Sequence, residues 1–292
     1  MMKKVKKLII PAAGWGTRFL PMTKVVHKEL VPVLNKPIID WLIHEALNSG
    51  IEEIILVISP RKEEINNYFD INYGLEYELA QKGKTDILEL IQKTNIKKHI
   101  TVVYQNEQLG LGHAIAVAAS KIKNEPFAVI LGDDLIMSQI PAIKQLIEQY
   151  EKLGNSIVGV QSIKSEHLDK YGVVDPLDPE QKNAKIFEIK GAVEKPKLEN
   201  SPSNKAILGR YVFTPEILAI LKKLKPENNS EIQLVDAFDE LLKTQKIYAY
   251  EFEGTRYDLG SVEGFVKANI DYALEDPEIQ AEIVQFIKAK KL

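Results

Sequence analysis

The sequence predicts an α/β fold with a mixed, mainly parallel central sheet flanked by helices. Predominantly apolar runs at residues 8–10, 53–58, 100–104 and 127–131 have the composition of strands buried on both faces. Segments with apolar residues at helical spacing separate several of these runs, and alternating strands and helices indicate a parallel sheet. Polar, glycine-containing segments follow the first, third and fourth runs. We expect these segments at the carboxyl edge of the sheet, where ligands of such sheets bind.

Composition is typical of a globular chain with ample length for a core. The chain has 292 residues, of which 45% are hydrophobic and 27% charged, and its formal net charge is -3. The slight acidity argues against a nucleic-acid binder, and the absence of cysteine excludes disulfides, thiolate metal sites and cysteine nucleophiles. The apolar stretch 8–13 is too short for a signal peptide, and no stretch approaches the ~20 apolar residues of a membrane span. We therefore expect a soluble cytoplasmic protein with no membrane partner.

The loop after the first strand is suited to a polyphosphate. Gly14 and Gly16 let the backbone approach an anion closely, and Arg18, Lys24 and Lys28 place cations nearby. A dinucleotide fingerprint would need a third glycine or alanine at residue 19, which is phenylalanine, and no Gly-Lys-Ser/Thr run of a P-loop is present. The remaining alternative is an ordinary strand–helix turn with solvated cations.

The next elements complete the first half of the sheet. We expect an extended crossing at 30–37, a helix at 38–48 capped by Gly50, and the second strand at 53–58, which together form a right-handed βαβ unit. A helix is expected at 61–69. Residues 70–98 are charged and helical with Gly83 near the middle, which predicts two inserted helices. We expect these helices either to pack on the sheet edge or at a subunit contact, or to form a solvent-exposed surface segment.

Two further segments carry groups suited to a ligand. Gln105 ends the third strand, and its amide suits the edge of a pyrimidine base, while Gly110 allows close approach. His113, at the start of a helix over 114–119, is more typical of a capping or packing residue than of a catalyst. Asp133 and Asp134 follow the fourth strand, where paired carboxylates facing phosphates are natural ligands for Mg²⁺. Asp133 is the preferred ligand, Asp134 is expected to cap or brace, and the alternative for both is a turn or helix cap.

The second half contains fewer chemical signals. A helix is predicted at 139–153, strands at 157–160, 206–213 and 247–252, a polar loop at 176–185, a helix at 231–243, and helical structure at 262–292. Glu194 could accept hydrogen bonds from sugar hydroxyls, and Lys195 could hold a phosphate. From spacing alone, however, an ordinary surface Glu-Lys pair is the better interpretation.

The pattern Gly-x-Gly-Thr-Arg-x-x-Pro-x-Thr-Lys at residues 14–24 resembles the signature loop of sugar-1-phosphate nucleotidyltransferases. The resemblance extends to Asp258-Leu259-Gly260, and Lys28-Glu29, the insertion after residue 70, and the segments 105–114 and 231–234 favour the uridylyl branch. It implies a Rossmann-like fold of the nucleotide-diphospho-sugar transferase type, UTP and glucose-1-phosphate as substrates, Mg²⁺ as cofactor, and a homo-oligomer (dimer or tetramer). It also implies one nucleotidyltransferase domain over 1–260, with the insertion at about 70–98, and C-terminal helices at 261–292 that pack on the core or at a subunit interface.

The resemblance also assigns roles to residues. The nucleotide would be held by Ala12, Ala13, Gly14, Gln105 and Gly110 at the uracil and by Gly16, Thr17 and Arg18 at the leaving pyrophosphate. Lys28 and Lys195 would grip the reacting phosphates, and with Arg18 they are the candidate catalytic residues. The glucose would be held by Gly172, Glu194 and Lys195, and the metal by Asp133 and Asp258.

Three positions depart from the pattern of the uridylyl branch. His27 stands where proline is usual, Leu30 where methionine is usual, and Gly132 where proline usually precedes the metal aspartate. Glycine at 132 is more similar to the thymidylyl branch, so a thymidylyltransferase is one alternative. A second alternative is a non-catalytic regulator that keeps the fold. A nicotinamide-dependent oxidoreductase is disfavoured because its third glycine is missing.

Overall fold

A computed structural model describes residues 3–226 and 231–290. The strands are β1 Lys7–Pro11, β2 Pro32–Val33, β3 Lys36–Pro37, β4 Glu53–Ile58, β5 Ile100–Tyr104, β6 Phe127–Ile130, β7 Asp134–Met137, β8 Ser156–Ser162, β9 Gly172–Pro176, β10 Ile186–Glu194, β11 Lys205–Phe213, β12 Ile247–Glu251 and β13 Thr255–Asp258. The α-helices are α1 Ile38–Leu47, α2 Glu63–Asn67, α3 Tyr73–Gln81, α4 Thr85–Gln92, α5 Leu111–Val117, α6 Ala119–Ile122, α7 Ala142–Leu153, α8 Glu216–Leu221, α9 Asp236–Leu242, α10 Val262–Glu275 and α11 Gln280–Ala289. The predicted α/β class is thus confirmed.

Nine strands form one mixed sheet in the order β5-β4-β1-β6-β11-β8-β12-β10-β9. The first four of these strands pair in parallel, as the buried apolar runs predicted. Beyond β6 the pairing is antiparallel except between β8 and β12, so the parallel character belongs mainly to the N-terminal half. The carboxyl ends of β1, β5 and β6 therefore lie at one edge, which brings the three polar segments that follow them together.

The core lies on both faces of this sheet, and β1 shows how. Leu8 and Ile10 pack into one apolar cluster with α1, α7 and α10, whereas Ile9 packs into the other with α5, α8 and α9. All three side chains have no exposed surface. Because successive side chains of a strand point to opposite faces, a fully apolar strand requires cover on both sides. The helices on each face provide that cover.

Several predicted elements differ from the observed ones. The helix expected at 61–69 is only α2, the helix expected at 139–153 begins at Ala142, and the helix expected from 231 begins at Asp236, because residues 231–235 cross the segment after β5 instead. β7 and β13 form a separate antiparallel pair, and α8 is an additional helix, none of which the sequence pattern indicated.

The segment over 70–98 contains the two predicted helices, α3 and α4, with Gly83 between them at a φ of +63°. Most of its apolar side chains are partly or largely exposed, although Leu79 is buried. The C-terminal segment consists of α10 and α11, and its last two residues lie outside the described part. Within the described ranges, no helix combines the length and the hydropathy needed to cross a bilayer.

Candidate active site

Two adjoining cavities open at the carboxyl edge of the parallel strands. The smaller has a volume of about 580 Å³ and the larger about 870 Å³. Both are lined by Thr17, Arg18, Asp133, Glu194 and Lys195. The smaller cavity is also lined by Ala13, Gly14, Gly16, Lys28, Gln105 and Gly110, and the larger by Gly172 and Asp258. The structure therefore brings together every residue that the family resemblance assigned to the site except Ala12, which is buried behind the loop.

The glycine loop adopts a conformation that depends on Gly16. Its φ of +69° lies in the left-handed region, and a Cβ there would approach Thr23 Cγ2 at 3.2 Å and Lys28 Cβ at 3.3 Å. Thr23 fixes the loop by donating its hydroxyl proton to the Gly16 carbonyl at 2.8 Å. Lys24, in contrast, is exposed and lines neither cavity, so the expectation of a third cation at this spot was wrong.

Asp133 is the electrostatic centre of the site. Its Oδ2 accepts a hydrogen bond from Lys28 Nζ at 3.0 Å and one from Arg18 Nη2 at 3.3 Å. Burial alone would raise the pKa of Asp133, but the Lys28 ammonium and the Arg18 guanidinium outweigh it and lower the pKa. Burial likewise opposes the charge on Lys28, yet Asp133 and Glu29 raise its pKa. Both groups are therefore charged at neutral pH.

A second carboxylate lies on the other side of the Arg18 side chain. Arg18 Nη1 is 3.9 Å from Asp258 Oδ1, which also accepts the backbone N–H of Gly260 at 2.9 Å. The backbone N–H of Leu259 donates to the Asp133 carbonyl at 2.8 Å, so β13 and the segment after β6 are joined directly. Among the described residues no group of three or more His, Asp or Glu side chains could hold a metal. Two carboxylates are nevertheless enough for Mg²⁺, which takes its other ligands from water and phosphates.

Asp134 has a different environment from that of Asp133. It is buried and paired with Arg256 of β13, and its backbone carbonyl accepts from Arg210 Nη2 at 2.9 Å. Arg256 also donates to the Tyr171 hydroxyl at 2.8 Å. This arrangement matches the bracing role expected for Asp134. Arg256 and Tyr171 line the larger cavity but were missed, because the pairing of β7 with β13 brings Arg256 beside Asp134, and Tyr171 contacts Arg256 from a distant part of the sequence.

The segment after β5 is built around Gln105. This side chain is only 4% exposed, and its Nε2 lies 3.3 Å from the Gly110 carbonyl and 3.0 Å from His113 Nδ1. His113 thus contacts Gln105, in agreement with the packing role predicted for it. Gln108 lies in the same segment, and its side-chain amide donates to the Ala13 carbonyl at 2.8 Å, which links this segment to the glycine loop.

Gly110 is the point where two chain segments cross most closely. Its φ is +96°, and a Cβ would lie 2.7 Å from Glu231 Cβ and 2.8 Å from the Ile232 carbonyl oxygen. Gly110→Ala should therefore lower the free energy of unfolding by about 1–3 kcal/mol through overpacking and backbone strain. Urea denaturation measures this change.

Gly74→Ala is the matched control for that substitution. The nearest atom to a Cβ at Gly74 is 3.8 Å away and the residue lies within α3, so its replacement should leave stability unchanged or slightly higher. Equal unfolding curves for the two variants would contradict the proposed crowding at Gly110.

The Glu194–Lys195 pair stands at the junction of the two cavities. Lys195 Nζ is 3.4 Å from Glu194 Oε1, and the Lys195 backbone has a φ of +47°, which is rare for a residue with a side chain. Its N–H donates to the Tyr171 carbonyl at 3.0 Å, which holds the turn in place. A Cβ at Gly172 would lie 3.1 Å from Glu194 Oε2, so glycine leaves room for the carboxylate. A strained backbone that is held by its surroundings is typical of functional positions.

Comparison with known proteins gives consistent matches over nearly the whole chain. The family described as Nucleotidyl transferase matches residues 7–275. The UTP–glucose-1-phosphate uridylyltransferase of Staphylococcus haemolyticus is 49% identical, covering 98% of this chain and 99% of that protein. A UDP-glucose pyrophosphorylase complexed with UDP-glucose is similar at a TM-score of 0.83 and 40% identity, covering 93% of this chain and 100% of that chain. A UTP-bound UGPase from Acinetobacter baumannii is similar at a TM-score of 0.88 and 38% identity, covering 97% and 98%.

Proposed function

The chain belongs to the nucleotidyl transferase family, and from this membership we propose that it transfers the uridylyl group of UTP to glucose-1-phosphate, giving UDP-glucose and pyrophosphate. The names of relatives that are about half identical along the full chain support this reaction, as do the neighbours with UTP or UDP-glucose bound. The observation that carries the proposal is the convergence of the glycine loop, Asp133, Asp258 and the Glu194–Lys195 pair on adjoining cavities.

The chemistry needs positioning more than proton transfer. A phosphate oxygen of glucose-1-phosphate forms a bond to the α-phosphorus of UTP, and the bond from that phosphorus to the bridging oxygen breaks in line with it. The nucleophile is already an anion, so no general base is required, and pyrophosphate leaves with the electron pair. We assign Arg18, Lys28 and Lys195 to hold the phosphates in line and neutralise their charge, with Gly16 and Thr17 at the leaving pyrophosphate.

Mg²⁺ fits the donor set of the site. Asp133 and Asp258 supply carboxylate oxygens on both sides of Arg18, and we propose that they hold the ion together with substrate phosphates. The bound ion would supply further neutralisation of phosphate charge. Arg18 lies within reach of both carboxylates, and we assign its guanidinium to the substrate phosphates when the ion is bound. The Arg18 side chain is 63% exposed, so it is accessible to a bound substrate.

The two cavities correspond to the two substrates. We propose that uracil lies at Gln105 and Gly110 with the backbone of Ala13 and Gly14, while Ala12 supports this backbone from behind. In the larger cavity we place glucose at Gly172 and Glu194, with its phosphate at Lys195. Lys195 stands at the junction, where the two reacting phosphates would meet.

Release of pyrophosphate from each nucleoside triphosphate tests the function. With glucose-1-phosphate and Mg²⁺, UTP should give rapid release that EDTA abolishes. Comparable or faster release of pyrophosphate with dTTP would assign the protein to the thymidylyl branch. It would also indicate that Gly132 affects the choice of base. If no triphosphate gives pyrophosphate release although UTP binds, the protein is instead a non-catalytic regulator.

The organisation of the chain around this site is also a proposal. We propose one catalytic domain over residues 1–260, with α3 and α4 as an insertion, and C-terminal helices that pack on the core through α10. The buried Ala268 and a hydrogen bond from the Leu34 N–H to Asn269 Oδ1 at 3.0 Å support this packing. A homo-oligomer, dimer or tetramer, and a cytoplasmic location stay predictions. Light scattering that gives the mass of one chain would contradict the oligomer.

A further inference from the structure

The turn that begins α2 contacts the glycine loop and its extension at three separate points. The Arg61 guanidinium lies 4.2 Å from the ring centroid of Trp15, which lines the smaller cavity. Lys62 reaches the end of β1 beneath the loop, and Glu64 Oε2 is 3.2 Å from His27 Nε2, next to Lys28. The proposed function assigns a role to none of these three side chains.

Lys62 makes the most restrictive of these contacts. Its Nζ donates to the Ala12 carbonyl at 2.8 Å and to the two oxygens of the Glu29 carboxylate at 2.9 and 2.8 Å. The Lys62 side chain is 6% exposed, and that of Glu29 has no exposed surface. An ammonium has three donors, and here each one has an acceptor, so the orientation of the group is fixed.

Both partners of Lys62 adjoin proposed phosphate-binding groups. The Ala12 carbonyl directly precedes the backbone of Ala13 and Gly14, and Glu29 directly follows Lys28, which contacts Asp133. One buried ammonium therefore joins the start of the glycine loop to the segment that carries the catalytic cation. A shift of either partner would move its neighbour relative to the bound phosphates.

A buried ion pair of this kind is weak evidence for a role in stability. Burial lowers the pKa of Lys62, and the Glu29 carboxylate offsets that effect only in part. Replacing a buried ion pair by apolar residues of similar size is often neutral or stabilising. A costly pair directly behind a binding loop indicates a requirement for geometry instead.

We propose that Lys62 is a positioning residue for the nucleotide, which acts by holding the Ala12 carbonyl and Glu29, and through them the glycine loop and Lys28, in the geometry that binds UTP. The inference rests on the proposed function for the identity of the ligand. It differs from the proposed catalytic roles because Lys62 lines neither cavity.

Lys62→Met removes the ammonium and keeps the length of the side chain. We expect kcat/KM for UTP to fall by about 10²-fold, the loss that a misplacement of about 1 Å causes. The affinity for UTP, measured by calorimetry without glucose-1-phosphate, should fall with it. The KM for glucose-1-phosphate should stay within about twofold, since we place that substrate mainly at Gly172, Glu194 and Lys195, none of which Lys62 contacts.

Lys205→Met is the matched control. Lys205 is also buried, and it bonds Glu251 Oε2 at 2.6 Å and Ser162 Oγ at 2.8 Å, and none of these three residues lines either cavity. The substitution should lower the melting temperature, because it too removes a buried ammonium from its carboxylate, but leave UTP affinity unchanged. A loss of UTP affinity in both variants would show a general effect of destabilisation and overturn the inference.

The double variant Glu29→Gln with Lys62→Met keeps the test valid if the single variant unfolds. It removes the carboxylate that would otherwise be buried without a partner, so the melting temperature should recover. UTP affinity should stay low, because the Ala12 carbonyl still lacks its donor. If the melting temperature and the UTP affinity both recover, the role of Lys62 is only structural and the inference is wrong. Lack of pyrophosphate release by the unsubstituted chain would count against the proposed function, whereas unchanged UTP affinity in a folded Lys62→Met variant would contradict only this inference.

Discussion

Asp133→Asn should lower kcat by on the order of 10³-fold while the fold stays intact, because a metal ion supplies several kcal/mol of charge stabilisation and each 1.4 kcal/mol is tenfold. The substitution keeps the shape of the side chain but removes the charge that we propose to hold Mg²⁺. It also leaves Lys28 and Arg18 without the carboxylate that they share. Pyrophosphate release measured over a range of Mg²⁺ concentrations should show that the variant needs more metal.

Asp175→Asn is the control for the change of charge. Asp175 pairs with Lys190 at 3.4 Å on β9 and lies outside both cavities. Its replacement should change kcat by less than about twofold, as expected for a surface substitution. The metal role of Asp133 would be refuted by a folded Asp133→Asn variant with more than a tenth of normal turnover.

Lys195→Met should lower kcat/KM for glucose-1-phosphate by about 10²–10³-fold, the size of effect seen when one preorganised donor to a developing charge is removed. Lys195 stands where the cavities join, and the unusual backbone at this residue aims its side chain from the end of β10. Methionine keeps most of the length without the ammonium. The loss should be larger in kcat than in the binding of UTP.

Lys190→Met provides the comparison for that prediction. Lys190 lies in β10, which ends directly before Lys195, and it is about as exposed as Lys195, but its partner is Asp175 and not Glu194. Activity close to normal is expected of this variant. If the two lysine variants have equal activity, the Glu194–Lys195 pair is only a surface pair, which was the interpretation favoured by spacing alone.

The parallel half of the fold was predictable because its signals are local. Strands β1, β4, β5 and β6 are apolar runs, and the residues that follow their carboxyl ends include the glycines, Gln105 and Asp133. The family resemblance drawn from the glycine loop is confirmed by the match over residues 7–275. The roles of the individual residues still await the substitutions described above.

What the sequence did not reveal depends on contacts between distant segments. Residues 231–235 were predicted to be helical, but the Ile232 N–H donates to the Leu109 carbonyl at 2.7 Å and its carbonyl accepts from Gly112 at 2.9 Å. These bonds to the segment after β5 replace the first turn of a helix. Arg256 and Lys62 were missed for the same reason. Each pairs with a carboxylate that is far away in the sequence, Asp134 for Arg256 and Glu29 for Lys62.

The antiparallel contact between β6 and β11 also has an evolutionary consequence. The groups that we assign to the base and to the leaving pyrophosphate all precede β6 in the sequence, whereas those that we assign to the sugar lie between β6 and β11. Base preference and sugar preference are therefore encoded in separate stretches of the gene. We therefore expect substitutions around Gln105 and Gly110 to change the preference for the base, and substitutions around Gly172 and Glu194 to change the preference for the sugar.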